Sequence, residues 1–267
     1  MGFDVKLIAT DLDGTLVHNA NDISEANLAA VKAAVRAGIV VCIATGRSHR
    51  SAAGFARRLG IEDSIIISYN GAMVRGCNDD RPLHHIAVAP EKAGAIVRHS
   101  MQNARYLHYF LNNTLYVTHV SNWGRLYMRR TGDVPVPVGD LRRFDGQSPT
   151  KLLIADRPEL IAQVLPEEQR LWSGELYVTH SLPEYIEYLN AEATKGNALA
   201  WLAEHLGIGL EHTMALGDQL NDLPMIQQAA IGVAMPDACE EVREGADYVA
   251  TSALEGVAEA IRRYTGL

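Results

Sequence analysis

The chain opens with a short apolar run, Val5, Leu7, Ile8 and Ala9, that stops at Asp11-Leu12-Asp13-Gly14-Thr15. Runs at 39–45, 65–70 and 213–218 behave alike, ending at Thr45, Asn70 and Asp218. Short apolar stretches without alternation predict strands covered on both faces. The segments between them have helical spacing. Ser24 can cap a helix whose Leu28, Val31 and Val35 share a face and which Gly38 stops; a second passes through Ala52, Phe55 and Leu59 to Gly60. Towards the other end, Thr194 can cap a helix through Leu199, Leu202 and Leu206 that Gly207 closes. Strands are predicted at 213–216, 231–234 and 248–250, and Ser252 with Glu255 makes a capping box for a last helix. Strands alternating with helices imply βαβ units and an α/β fold with a doubly wound parallel sheet.

The texture changes between about 82 and 188. Leu107, Tyr109 and Leu111, then Leu115 and Val117, alternate with polar positions across Asn112-Asn113, the pattern of an antiparallel hairpin. Helices at 91–104 and 158–171 and a strand at 151–155 complete a smaller α+β unit. The expected organisation is a main sheet domain, 1–81 with 189–267, interrupted by an inserted domain, 82–188, with crossings near 75–82 and 188–194.

The 267 residues, 48% of them hydrophobic, suffice for a substantial core, and a formal charge of −8 disfavours a general binder of nucleic acid or membrane surfaces. An anionic substrate must therefore be neutralised locally. Cys42, Cys77 and Cys239 are odd in number and far apart, which fits reduced thiols in the cytoplasm rather than a zinc pair or a disulfide framework. No basic, then apolar, leader opens the sequence, and no run reaches membrane-spanning length. A Gly-x-Gly-x-x-Gly after a strand, a Walker loop and His-Glu-x-x-His are all missing, which speaks against a dinucleotide-binding dehydrogenase; His84 and His85 lack a third ligand at convincing spacing.

Asp11 is the candidate nucleophile, since a carboxylate can attack phosphorus and divide a hard hydrolysis into two displacements. Asp13 is suited to protonate the leaving oxygen and then to accept a proton from water. Crowded carboxylates need a cation, and Asp218 and Asp222 join Asp11 and Asp13, with a backbone carbonyl, as candidates for a hard oxygen site that suits Mg²⁺. Thr45, with the N–H groups of Gly46 and Arg47, can hold phosphate oxygens at a strand-to-helix turn. Lys195 supplies a compact cation, and Arg47 and Asn221 are further phosphate-binding candidates. Each piece has a plainer reading: Asp-Gly as a turn, Thr45 as a cap, Lys195 and the acids as solvated helix starts. The set, in this order, favours chemistry.

In these motifs the chain resembles the haloacid dehalogenase superfamily of phosphatases, in its Cof-like branch. Asp11 to Thr15 is similar to the first motif, Ala44-Thr45-Gly46-Arg47 to the second, Lys195-Gly196 to the third, and Gly217-Asp218 with Asn221-Asp222 to the fourth. Asn70-Gly71-Ala72 and Gly232-Val233-Ala234-Met235 also resemble family segments. The resemblance implies a Rossmann-like core with a C2B-type cap between the second and third motifs. The sequence departs from the branch at Pro236-Asp237, where Gly-Asn is common, and at Thr251-Ser252-Ala253 in place of a Ser-Asn segment.

The expected activity is Mg²⁺-dependent hydrolysis of a small phosphorylated metabolite, a sugar or polyol phosphate, through an aspartyl-phosphate, by a monomer or homodimer. Retention of Asp13 favours phosphate esters over haloalkanoates or phosphonates. A phosphomutase of the same superfamily is the nearest alternative. A phospho-acceptor switch resembling response-regulator receivers is the non-enzymatic one, opposed by the length and the order of motifs. The insert should select the substrate: its Tyr106, Tyr109, Tyr116, Trp123, Tyr127 and Tyr177 are expected mainly to pack its own core, and Arg125, Arg129, Arg130, Arg142 and Arg143 either face a second anion or lie solvated.

Overall fold

The structure, a computed structural model, describes residues 4–18 and 22–267. The first elements are β1 (Leu7–Thr10), α1 (Glu25–Arg36), β2 (Val40–Ala44), α2 (His49–Leu59), β3 (Ile65–Ser68) and β4 (Met73–Gly76). Next come β5 (His84–His85), α3 (Pro90–Gln102), β6 (Leu107–Leu111), β7 (Thr114–Val117), α4 (Asn122–Thr131) and β8 (Val136–Pro137). They are followed by β9 (Lys151–Ala155), α5 (Pro158–Leu171), β10 (Leu176–Thr179) and β11 (Tyr185–Asn190). The chain finishes with α6 (Lys195–His205), β12 (Thr213–Gly217), α7 (Leu223–Gln228), β13 (Ile231–Ala234), α8 (Glu240–Gly245), β14 (Tyr248–Val249) and α9 (Gly256–Thr265).

Two compact units result, Met1–Leu83 with Thr194–Leu267, and His84–Ala193. Strand β11 runs through Asn190, so it crosses the boundary expected at 188/189: its ladder to β9 and β10 is continuous there, and a ladder does not divide between domains.

In the first unit the strands lie in the order β14-β13-β12-β1-β2-β3-β4, parallel except for β4. Apolar side chains cover both faces, which explains the unbroken runs in the sequence. Ile8 packs with Val31, Phe55 and Ile261 on one face, while Leu7 and Ala9 pack with Leu199, Leu202 and Met225 on the other. Strand β1 pairs with β12 on one side and β2 on the other, Thr10 standing level with both Leu216 and Ile43. The order in which the chain fills the sheet reverses between β1 and β12, and at such a switch point the connections leave the carboxyl ends on opposite faces and open a crevice for a ligand.

Helix ends show where local signals suffice and where they do not. Ser24 and Thr194 accept from Asn27 N–H and Asn197 N–H, as capping requires, and Gly60 closes α2 in the left-handed region. On α1, however, Val35 is exposed and the buried face is Asn27, Ala30, Val31 and Ala34. The capping box at Ser252 does not form as expected. Its hydroxyl accepts from Glu255 N–H, but α9 starts only at Gly256, and its Ala258 N–H is met by Asn27 Oδ1 from α1. The same Asn27 donates to the Leu254 carbonyl, so a fully buried side chain replaces the local cap.

The second unit has a six-stranded sheet, β10-β11-β9-β6-β7-β8, antiparallel except at β7–β8. The hairpin turns through Asn112 and Asn113, both at positive φ, which asparagine tolerates. Helices α3 and α5 cover one face around Tyr109, Ile154, Trp172 and Tyr188. Tyr127 of α4 packs on His108, Phe110 and Tyr185. Of the arginines considered as anion receivers, Arg130 pairs with Glu184 and Arg142 with Asp140. Among the described residues, no helix is long and apolar enough to cross a membrane.

Candidate active site

The register of the parallel sheet assembles the site. Because β12, β1 and β2 run side by side in one direction, Asp218, Asp11 and Thr45 each follow the carboxyl end of neighbouring strands. Asp11 is buried, its N–H bonded to the Leu216 carbonyl, so its place relative to β12 is set by backbone.

Lys195 is the first residue of α6, held there by the Thr194 cap, and its ammonium has no solvent exposure. It donates to Asp11 Oδ1 at 2.6 Å and to Asp222 Oδ1 at 2.5 Å. Burial disfavours its charged form, but Asp11 and Asp222 outweigh that and hold the ammonium above its usual range. Asp222 Oδ2 accepts the N–H groups of Asp218 and Gln219, at 2.9 and 3.0 Å, which folds the 218–222 loop back on itself. Asp218 receives Thr15 Oγ1 at 2.9 Å and Gln219 Nε2 at 3.0 Å. Gly14, at φ +90°, lies so near that a Cβ there would collide with the Asp218 carboxylate.

Asp11, Asp218 and Asp222 offer carboxylate oxygens within 4.8 Å of one another. Three carboxylates around one ammonium leave a formal surplus of two negative charges. The acids register that surplus. Burial is the main cause that raises Asp11 well above the usual carboxylate range, with Lys195 opposing and Asp222, Asp218 and Asp13 adding to it. Burial and then Asp222 push Asp218 up to about 7. A small divalent cation fits this donor set, being hard, oxygen-seeking and of the charge that is lacking.

Asp13 is placed differently from the expectation that its carboxylate joins the metal-binding acids. It is forked by Arg47, Nε donating to Oδ2 at 2.7 Å and Nη2 to Oδ1, and it stands apart from the three gathered acids. A guanidinium satisfies both carboxylate oxygens at once. Arg47, considered a phosphate ligand, is thereby committed to Asp13; it also lies over the Phe55 ring, 4.9 Å from its centre. Thr45 is buried and its Oγ1 accepts the Arg47 N–H at 3.2 Å, leaving the hydroxyl proton to give. Asn221 is buried and donates Nδ2 to Asn70 Oδ1 at 3.0 Å. The sequence marks Asn70 as the polar end of the 65–70 run and as part of the Asn70-Gly71-Ala72 segment, but not its partner; its side-chain contact joins positions 151 residues apart.

Residues 8–261 match the family model of the haloacid dehalogenase-like hydrolases. The chain is similar to two Bacillus subtilis proteins. One is the 5-amino-6-(5-phospho-D-ribitylamino)uracil phosphatase YcsE, 32% identical over 98% of this chain and 96% of the relative. The other is phosphatase YwpJ, 30% identical over 97% of this chain and 99% of the relative. Among solved structures, a haloacid dehalogenase-like hydrolase from Bacteroides thetaiotaomicron superposes with a TM-score of 0.85 at 27% identity, covering 97% of this chain and 99% of that one.

Proposed function

The chain belongs to the haloacid dehalogenase-like hydrolases and is a phosphatase of that superfamily, and on that premise we propose that it is Mg²⁺-dependent, carries the phosphoryl group on Asp11, and acts on a small sugar or polyol phosphate. The observation that carries this reading is the buried set of Asp11, Asp218 and Asp222 around Lys195, with its uncompensated negative charge.

An Asp11 carboxylate oxygen attacks phosphorus, the bond from phosphorus to the ester oxygen breaks, and Asp13 gives that oxygen its proton. Water then attacks the acyl-phosphate while Asp13 takes the proton back, releasing inorganic phosphate and restoring Asp11. Lys195 holds Asp11 in place and faces the charge that develops on the phosphoryl oxygens, and the Thr45 hydroxyl and Asn221 amide donate to them. Asp222 anchors both Lys195 and the backbone beside Asp218. Asp11 and Asp218 would hold Mg²⁺, which would supply the positive charge that the site lacks. Arg47 orients the Asp13 carboxylate, two residues from the nucleophile, and releases one of its two oxygens when that oxygen carries the proton.

The name of YcsE describes a phosphoribityl compound, which supports a polyol phosphate as the class of substrate. A panel of phosphorylated metabolites assayed with Mg²⁺ and after chelation tests the proposal. Turnover of sugar or polyol phosphates that chelation abolishes is expected. Activity confined to phosphoprotein or nucleic acid, or indifferent to chelation, would overturn it, and transfer to a second sugar phosphate in place of water would favour a phosphomutase.

A further inference from the structure

One three-residue turn is tied to three of the four segments that build the site. Tyr69, Asn70 and Gly71 follow β3 with φ of 51°, 56° and 101°. Glycine occupies that region freely and asparagine tolerates it, whereas tyrosine is strained there by its Cβ. Such strain persists only where the surroundings impose it. Here they do. The Tyr69 N–H donates to the Arg47 carbonyl at 2.9 Å and the Asn70 N–H to the Thr45 carbonyl at 3.0 Å. Gly71 lies against the peptide joining Thr194 to Lys195, where a Cβ would strike the Thr194 carbonyl. The fully buried Asn70 side chain then reaches the 218–222 loop through Asn221.

Asn221 is 3% exposed, and its Oδ1 has no hydrogen-bond partner among the described residues. A buried amide oxygen without a donor is costly to leave unmet. Its amide nitrogen carries two protons, of which Asn70 receives one. We propose that Asn70 is a positioning residue for phosphoryl transfer: by holding one N–H of Asn221 it fixes the carboxamide plane, reserving the second N–H for a phosphoryl oxygen and Oδ1 for a donor that arrives with the substrate. The inference rests on the phosphatase reading, in which Asn221 touches the phosphoryl group.

Asn70→Gly removes the side chain while accepting the backbone conformation, so the turn should survive. It is expected to lower kcat/KM about tenfold and to weaken inhibition by inorganic phosphate by a like factor, with the melting temperature little changed. The Asn70→Gly/Asn221→Ala double variant should be no worse than Asn221→Ala alone. Effects that multiply in the double variant, or wild-type kinetics for Asn70→Gly, would overturn the proposal. Asn70→Asp, which keeps the acceptor oxygen and tolerates positive φ, provides a check independent of the glycine variant's folding. It should retain more activity than Asn221→Ala, and an equal loss would count against Asn70 as the acceptor. A wild-type protein that hydrolysed no phosphomonoester would instead remove the phosphatase reading itself.

Discussion

Each of the two units buries a lysine among carboxylates, and the two arrangements differ in their charge balance. In the first, Lys195 meets Asp11 and Asp222, with Asp218 close by. In the second, Lys151 meets Glu187 at 3.2 Å, both side chains 1% exposed, and Ser181 Oγ donates to the same Glu187 oxygen at 2.8 Å. The pair in the second unit sets one cation against one anion, and its ammonium lies over the Phe110 ring, 5.2 Å from its centre. Charge that balances can stay buried as part of the fold. A surplus of negative charge, by contrast, is held in place by the surrounding structure at a cost in stability, and it is what a dication can use.

Removing a carboxylate from each cluster should therefore give opposite results. Asp11→Asn should abolish turnover, yet raise the stability of the metal-free protein by about 1 kcal/mol, because it deletes one of several repelling acids while leaving Lys195 an acceptor. Glu187→Gln should do the reverse and cost about 3 kcal/mol, since it removes the negative charge paired with a buried ammonium. Paired denaturant melts in chelator, with single-turnover assays, measure both. Equal signs in the two melts would break the comparison.

A smaller effect sharpens it. Asp218→Asn should weaken Mg²⁺ activation by about a hundredfold in the activating concentration while leaving the metal-free fold intact. A metal titration of activity, set beside a melt in chelator, reads this directly.

The smallest effect concerns pH. Asp218 has a folded-state pKa raised to about 7, so the folded protein binds more protons than the unfolded chain between about pH 4 and 7, and stability from this group falls as pH rises through that window. His108 in the second unit behaves oppositely. Burial first, and then Lys151, lower its pKa to about 3, and neither ring nitrogen has a hydrogen-bond partner among the described residues. Stability from a neutral buried histidine is lost as pH falls below about 6.5. Metal-free melting temperatures from pH 4 to 8 should thus lose their acid-side fall in His108→Phe, and part of their fall towards neutrality in Asp218→Asn. Unchanged slopes in both variants would show that these two groups do not govern the profile.

Much of the catalytic unit could be read from the sequence because its signals are local. An apolar run that ends in Asp11, or a Thr194 that caps the helix bearing Lys195, needs no distant information. The parallel register then follows from runs buried on both faces, and it brings the motifs together. Pairings between distant segments were not legible. The fork of Arg47 on Asp13 is one such pairing, and nothing in the Thr45-Gly46-Arg47 spacing says which anion the guanidinium meets. Asn27 at the start of the last helix escaped notice for the same reason: the acceptor that meets Ala258 N–H comes from 231 residues away. The Lys151–Glu187 pair was also invisible, since each residue alone reads as an exposed strand position and only the register of β9 with β11, which sets Glu187 opposite Leu153, puts Lys151 on the same face two positions along.

Gly14 gives the first strand's turn and the Asp218 carboxylate a shared volume with no play in it. A methyl group there has nowhere to go except into the acid, so Gly14→Ala would act as a wedge one carbon wide, prising apart the two halves of the chemistry while the strands behind them remain aligned. The tolerance of this enzyme for change is thus set, at that point, by a single hydrogen atom's worth of room.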